Sequence, residues 1–145
     1  MKLINFELES PYATITLKGF GCEWDLHNCA DFVGFSFDAA NNSLFLEWDA
    51  SSLEGNTWGD PKNDAKGCRL IFRNITFIHM SYRDEACPLS EDLCLSSVSK
   101  VIPNTIEYRY QDKWSEGEEC NLLFEFHSER SLEIGAESAE LARVA

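Results

Sequence analysis

The chain has 145 residues, 44% of them hydrophobic and 12% aromatic, so it is long enough to bury a core in one domain over residues 1–145. It carries 25 acidic against 12 basic residues, a formal net charge of −13, and this excess disfavours nucleic acid and anionic membranes as partners. No apolar run reaches the about 20 residues of a membrane helix and the N-terminus does not read as an export signal, so we expect a soluble, cytoplasmic protein.

Most of the chain consists of short segments in which apolar and aromatic residues alternate with polar ones, the pattern of half-buried strands. In chain order, these predicted strands are 3–8, 13–17, 32–38, 43–49, 69–82, 105–111, 122–127 and 132–134. Residues 39–42 and 128–131 have turn composition and predict two β-hairpins. In the fourth segment Leu44, Leu46 and Trp48 share one face, which we expect to meet the core.

The segment 69–82 needs a change of register near its middle. Leu70 and Phe72 share one face, whereas Ile75, Phe77 and His79 continue that face only if one extra residue is inserted near Asn74. We therefore predict a bulge or a tight corner there, within one strongly bent strand or between two strands.

Helical signals are few. Ser90, followed by Glu91 and Asp92, is typical of a helix N-terminus and predicts a helix that extends to about Ser99. Residues 136–144 fit either a helix or a final edge strand. We predict a mainly β fold, an antiparallel sandwich or partly open barrel of about seven to nine strands with one or two short helices.

Metal ligation is the first chemistry that six cysteines suggest. Cys22, His27 and Cys29 fall within eight residues, but they form no Cys-x-x-Cys pair, and Cys87 and Cys94 are spaced no better. Free cysteine behaves as a small apolar side chain, and a reducing compartment keeps it a thiol. We expect no metal and no other cofactor.

The three histidines, His27, His79 and His127, permit a catalytic triad in combination with many acids. No Gly-x-Ser-x-Gly or cysteine-protease motif accompanies any of the three histidines. We interpret His79 and His127 as strand histidines, and most acids as the solvated face of a sheet.

Two long polar loops, 50–66 and 84–104, are candidates for a binding surface. Trp58 lies in the first and Trp114 in a later Gly-containing loop, where each is either a lid on the core or an exposed anchor for a partner. Acids near these loops are the further candidates. The predicted contact residues are Trp58, Asp84, Glu85, Glu91, Asp92, Trp114, Glu116, Glu118 and Glu119.

The order of four features carries a resemblance: the strand 44–48, a loop with Trp58 and Pro61, the segment 70–75, and the closing hairpin of 122–126 with 132–134. Over about residues 32–141 the chain resembles small bacterial β domains, including some immunity proteins of polymorphic toxin systems. The resemblance implies stoichiometric binding rather than catalysis, and it transfers no functional residue.

The leading hypothesis is a non-enzymatic, protein-binding domain, such as an acidic immunity-type protein that neutralises a cationic toxin, since charge complementarity speeds encounter with a basic partner. A second hypothesis is a small-molecule-binding or hydrolytic β domain that uses a histidine with carboxylates. A third is a structural subunit of a homo-oligomer, joined through a strand edge or the Trp58 loop. The sequence leaves the oligomeric state open.

Overall fold

The computed structural model describes residues 1–52 and 55–145, half of the chain lies in strands, and the predicted mainly β class is confirmed. The described residues form ten strands and one short 3₁₀ helix. The strands are β1 (Lys2–Ile4), β2 (Glu7–Leu8), β3 (Thr16–Gly19), β4 (Cys22–Asp25), β5 (Ala30–Asp38), β6 (Ser43–Ala50), β7 (Gly67–Met80), β8 (Leu95–Val101), β9 (Asn121–Phe126) and β10 (Ser131–Val144), and the 3₁₀ helix is Leu89–Leu93.

The larger sheet is strongly curled into a half-barrel, with strand order β5-β6-β7-β10-β9-β8. Its ladders are antiparallel except that β1 runs parallel to β10. Strands β2, β3 and β4 form a small second sheet, which one bridge between Thr14 and Val98 connects to the first. Both predicted hairpins are confirmed, as β5–β6 and as β9–β10.

The core lies on the concave face of the half-barrel. Leu44, Leu46 and Trp48 of β6 are buried there, as their alternation predicts, and Leu70 and Phe72 of β7 lie beside them. The small sheet packs onto the same hydrophobic cluster and contributes residues such as Leu17 and Trp24. The two sheets therefore share one core.

Strand β7 is the single bent strand that the sequence left as one of two possibilities, and the side of the strand that faces the core changes twice along it. Asn74 has a positive φ of 56°, and this first change turns Ile75 toward the core. A bulge then places Ile78 opposite buried Ile134 of β10. Because directly paired residues share a face, Ile78 points to the core side and its neighbours Phe77 and His79 point away from it. The prediction that Phe77 and His79 continue the core face is therefore wrong.

The predicted strand 105–111 is also wrong, since this segment is a loop between β8 and β9. The backbone N–H of Ile102 donates to the carbonyl of Arg109 at 2.8 Å, so the loop closes on itself. Ile106 is almost fully exposed, and Tyr108 has a positive φ of 55°. Alternating residues here have no neighbouring strand to pair with.

The helix predicted from Ser90 needs correction, whereas residues 136–144 adopt the strand that was one of their two alternatives, although not at an edge of the sheet. The helix predicted to extend to about Ser99 ends at Leu93, and β8 begins two residues later at Leu95. Residues 136–144 belong to β10, which is an interior strand because it pairs with β7 on one side and with β9 and β1 on the other. Among the described residues, no helix is long and apolar enough to cross a membrane.

Candidate functional site

The concave face is buried around its centre but exposed along edge strand β5 and at the end of β7. Phe35 and Phe37 of β5 pair with Leu46 and Leu44, so they point to the core side, yet they are 46% and 50% exposed. Met80 at the end of β7 pairs with buried Leu132 and is also exposed. Side chains on the core side of the sheet thus meet solvent here.

Phe35 and Met80 line a cavity of about 340 Å³, which we call the open groove, and Phe37 lies two residues further along β5, outside that lining. Most of its lining is apolar and comes from β5, the end of β7, the 3₁₀ helix and the β9–β10 hairpin. The apolar lining residues include Phe32, Phe35, Met80, Leu93, Phe126 and Leu132. Apolar grooves of this kind, with a few polar groups, are the usual form of a ligand or peptide site.

Strand register explains why the groove is open. Strand β6 pairs with β7 only as far as Arg73, so the last residues of β7 pair with β10 alone and leave their other edge free. Strand β5 forms the opposite border as the edge strand of the sheet. The rings of Phe32 and Phe126 meet across the sheet at a centroid distance of 4.8 Å and end the groove on that side.

Polar groups of the groove are few. Asp92 is held by Arg83, whose Nε lies 3.0 Å from a carboxylate oxygen. Arg130 also lines the groove, and its buried Nε has no hydrogen-bond partner among the described residues.

Two histidines and a cysteine gather immediately beside the groove. One ring nitrogen each of His27 and His127 and the sulfur of Cys94 all lie within 4.8 Å of one another. The two imidazole rings stack with centroids 5.0 Å apart, and Nδ1 of His27 lies 3.5 Å from the Cys94 sulfur. We call these three residues the His-Cys cluster.

Backbone structure fixes the three members. His27 lies in the loop after β4, Cys94 between the 3₁₀ helix and β8, and His127 directly after β9. The N–H of His127 donates to the carbonyl of Cys94 at 2.9 Å, which extends the β8–β9 ladder by one step. Cys94 and His127 follow Leu93 and Phe126, so each is next in sequence to a residue that lines the open groove.

Hydrogen bonds also define how each imidazole is oriented. Nδ1 of His27 lies 2.7 Å from the carbonyl oxygen of Leu95, and a carbonyl only accepts, so this nitrogen carries the proton. Nδ1 of His127 lies 3.5 Å from a carboxylate oxygen of Glu91. An acceptor at Nδ1 leaves Nε2 with its lone pair, as in many metal-binding histidines.

The electrostatic field at this end of the molecule is negative. Burial, together with the charges of Glu91 and Asp31, raises the pKa of the Cys94 thiol. Burial and the carboxylates of Asp84, Glu129 and Glu91 likewise raise the pKa of nearby Cys87. A cysteine nucleophile needs a lowered pKa, so the cluster favours cation binding over nucleophilic catalysis.

Trp58 is fully buried, which is the core-lid alternative of the two that the sequence left open. Its ring lies 5.0 Å from that of Trp24, and its Nε1 donates to the carbonyl of Ala65 at 2.7 Å. Trp114 is half-buried and borders a separate cleft of about 700 Å³ together with Lys100 and Glu7.

The predicted acidic residues divide into two groups. Glu91 and Asp92 lie on the 3₁₀ helix, between the His-Cys cluster and the open groove, and exposed Asp84 and Glu85 precede that helix. The second group, Glu116, Glu118 and Glu119, is exposed and lies near Trp114 on the border of the other cleft.

Sequence reasoning missed both the groove and the cluster. His27 and Cys94 are 67 residues apart, and only the pairing of β8 with β9 brings Cys94 beside His127. Aromatic residues of β5 read as ordinary core positions, because their alternation does not reveal whether anything covers them. The acids before and within the 3₁₀ helix were the one sequence signal that pointed to this region.

Comparisons of the chain with family models, with curated proteins and with solved structures find no significant match. The resemblance to immunity proteins therefore stays a prediction.

Proposed function

We propose that the protein is a non-enzymatic binding domain that accepts an extended, apolar segment of a cationic partner protein in the open groove. The observation that carries this proposal is the exposure of Phe35 and Phe37 on the core side of the sheet. Exposed aromatic side chains between two unpaired strand edges are suited to a partner segment that adds a strand and buries its own apolar residues.

Charge selects the class of partner. The chain has a net charge of −13, and Asp31 and Asp38 lie near the two ends of β5. The raised pKa of the Cys94 thiol, caused by burial and by Glu91 and Asp31, indicates a negative field beside the groove. A basic protein gains both encounter rate and specificity from such a surface.

Charge also disfavours a second copy of this chain as the occupant. Two copies that each carry −13 repel one another when the groove of one approaches the other. We expect a monomer in solution, with the groove available to a different protein. An immunity-type inhibitor of a cationic toxin is the form of this function that the sequence resemblance implies.

Fluorescence anisotropy with two labelled peptides tests the proposal. Both peptides have 12 residues with alternating leucine and valine in the centre, and they differ only in lysine or glutamate at both ends. We expect the lysine peptide to bind at least about tenfold more tightly, a difference of about 1.4 kcal/mol. Equal affinity for the two peptides would contradict a charge-selected groove.

Variants locate the binding surface. Phe35→Asp places a charge on the groove wall and should abolish binding of the lysine peptide. Ile106→Asp is the matched control, because Ile106 is an equally apolar but almost fully exposed residue of the loop before β9. Loss of binding in both variants, or in neither, rejects the groove as the site. A dimer in sedimentation that Phe35→Asp dissociates would assign the groove to a second copy instead.

A further inference from the structure

The geometry points to a transition-metal site at the His-Cys cluster: we propose that His27, Cys94 and His127 bind one Zn²⁺. This site goes beyond the proposed function and does not depend on it. It assigns a role to three side chains that peptide binding in the groove leaves unused.

The donor atoms are of the right kind and nearly in place. Imidazole nitrogen and thiolate sulfur are the preferred zinc donors, with bonds of about 2.0–2.1 Å and about 2.3 Å. Tetrahedral bonds of these lengths separate the donor atoms by about 3–4 Å. One ring nitrogen of each histidine and the Cys94 sulfur already lie within 4.8 Å of one another. The His27 nitrogen that lies 3.5 Å from this sulfur is Nδ1, so ligation through Nε2 requires a rotation of the His27 side chain.

The outer partners match those of known zinc histidines. A ligating histidine usually donates its other ring N–H to a carbonyl or a carboxylate, and this bond fixes the tautomer. His27 makes such a bond to the Leu95 carbonyl at 2.7 Å, and the Glu91 carboxylate lies 3.5 Å from Nδ1 of His127. In this tautomer each ring keeps a lone pair on Nε2, the nitrogen that would bind the metal.

The surroundings favour a divalent cation. The Glu91 carboxylate lies 3.5 Å from Nδ1 of His127, and the Nε of nearby Arg83 is paired with Asp92 at 3.0 Å. Binding of Zn²⁺ displaces the thiol proton of Cys94 to solvent and forms the metal–sulfur bond.

Three protein ligands leave one tetrahedral position for water or for a donor atom of a partner. The ligands also connect the loop after β4 to the 3₁₀ helix and to the end of β9. Since Leu93 and Phe126 precede two of the ligands, a bound ion fixes the adjacent wall of the groove.

Titration of the purified full-length protein with Co²⁺ tests the site, because a thiolate–Co²⁺ bond gives a charge-transfer band in the near ultraviolet. We expect one Co²⁺ per chain, displaced by one Zn²⁺. Cys94→Ser should remove the charge-transfer band. Glu91→Gln should lower the affinity for Co²⁺ by about 10–100-fold, because Glu91 is an outer partner of a ligand. His127→Asn removes a ligand itself and should lower the affinity further. His127 is partly exposed, so its substitution tests the site even where Cys94→Ser disturbs packing.

The matched controls are the residues that sequence spacing, rather than the fold, would group with His27. Cys22→Ala, Cys29→Ser and His79→Ala should bind Co²⁺ as the parent protein does. Zn²⁺ should also raise the melting temperature of the parent and the control proteins in a concentration-dependent way. Absence of stoichiometric binding, a charge-transfer band that persists in Cys94→Ser, or its loss in Cys29→Ser would overturn the proposal.

Discussion

Two regions of the concave face have aromatic side chains but different surroundings. In the covered region, Trp24 of β4 packs on Trp58, which the loop after β6 contributes, and both rings are buried. Along edge strand β5, Phe35 and Phe37 point to the core side of the sheet and nothing in the described part of the chain covers them. The comparison shows that an inward-facing aromatic residue stabilises the fold only where another element packs on it.

The largest loss of stability should come from removing the Trp58 ring, which covers the buried region of the concave face. Trp58→Ala deletes a fully buried ring that contacts Trp24 and donates a hydrogen bond to Ala65. We expect the free energy of unfolding to fall by about 3–5 kcal/mol. Urea denaturation measures this, and a loss below about 1 kcal/mol would show that the ring is not part of the core.

A smaller loss should follow from releasing the loop between β8 and β9. Arg109 pairs with the largely buried Glu133 at 2.7 Å, and Asn121 donates to the same carboxylate at 2.8 Å. Arg109→Ala leaves Glu133 with one partner, and because Arg109 is partly exposed we expect a cost of about 1–3 kcal/mol. Urea denaturation of Lys113→Ala in the same loop provides the control, since Lys113 is exposed, and an equal cost in both variants would contradict the role of the ion pair.

The smallest change in stability should come from the open groove itself. Phe35→Ser removes a half-exposed ring that lines the groove and has no covering element among the described residues. We expect the unfolding free energy to change by less than about 1 kcal/mol, against several for Trp58→Ala. Equal losses in the two variants would show that the groove is an ordinary part of the core.

The alternation of residues predicted the fold class and both hairpins because it reports directly which side chains share a face. It failed for 105–111, where Ile106 and Tyr108 alternate with polar residues but no strand edge lies beside them. It also misplaced Phe77 and His79, since these residues follow the register shift between β7 and β10 at Gly135 and Ala136, which the sequence of β7 alone does not reveal. Long-range pairing decides both cases.

The candidate sites were less predictable than the fold. The His-Cys cluster forms because the β8–β9 ladder and the loop after β4 meet, and no local spacing encodes that meeting. Glu91 and Asp92 were predicted as binding residues from their place in an acidic loop, and the structure places them between the cluster and the groove. Trp58 is buried in the core, so its prominence in the sequence reflects packing.

The affinity of the lysine peptide for Phe35→Ser, measured by anisotropy beside the parent protein, tests most directly whether the open groove binds a partner, because Phe35 lines the groove. Our account predicts at least about a tenfold loss of affinity while the unfolding free energy changes by less than about 1 kcal/mol. Unchanged affinity in a stably folded Phe35→Ser protein would contradict it.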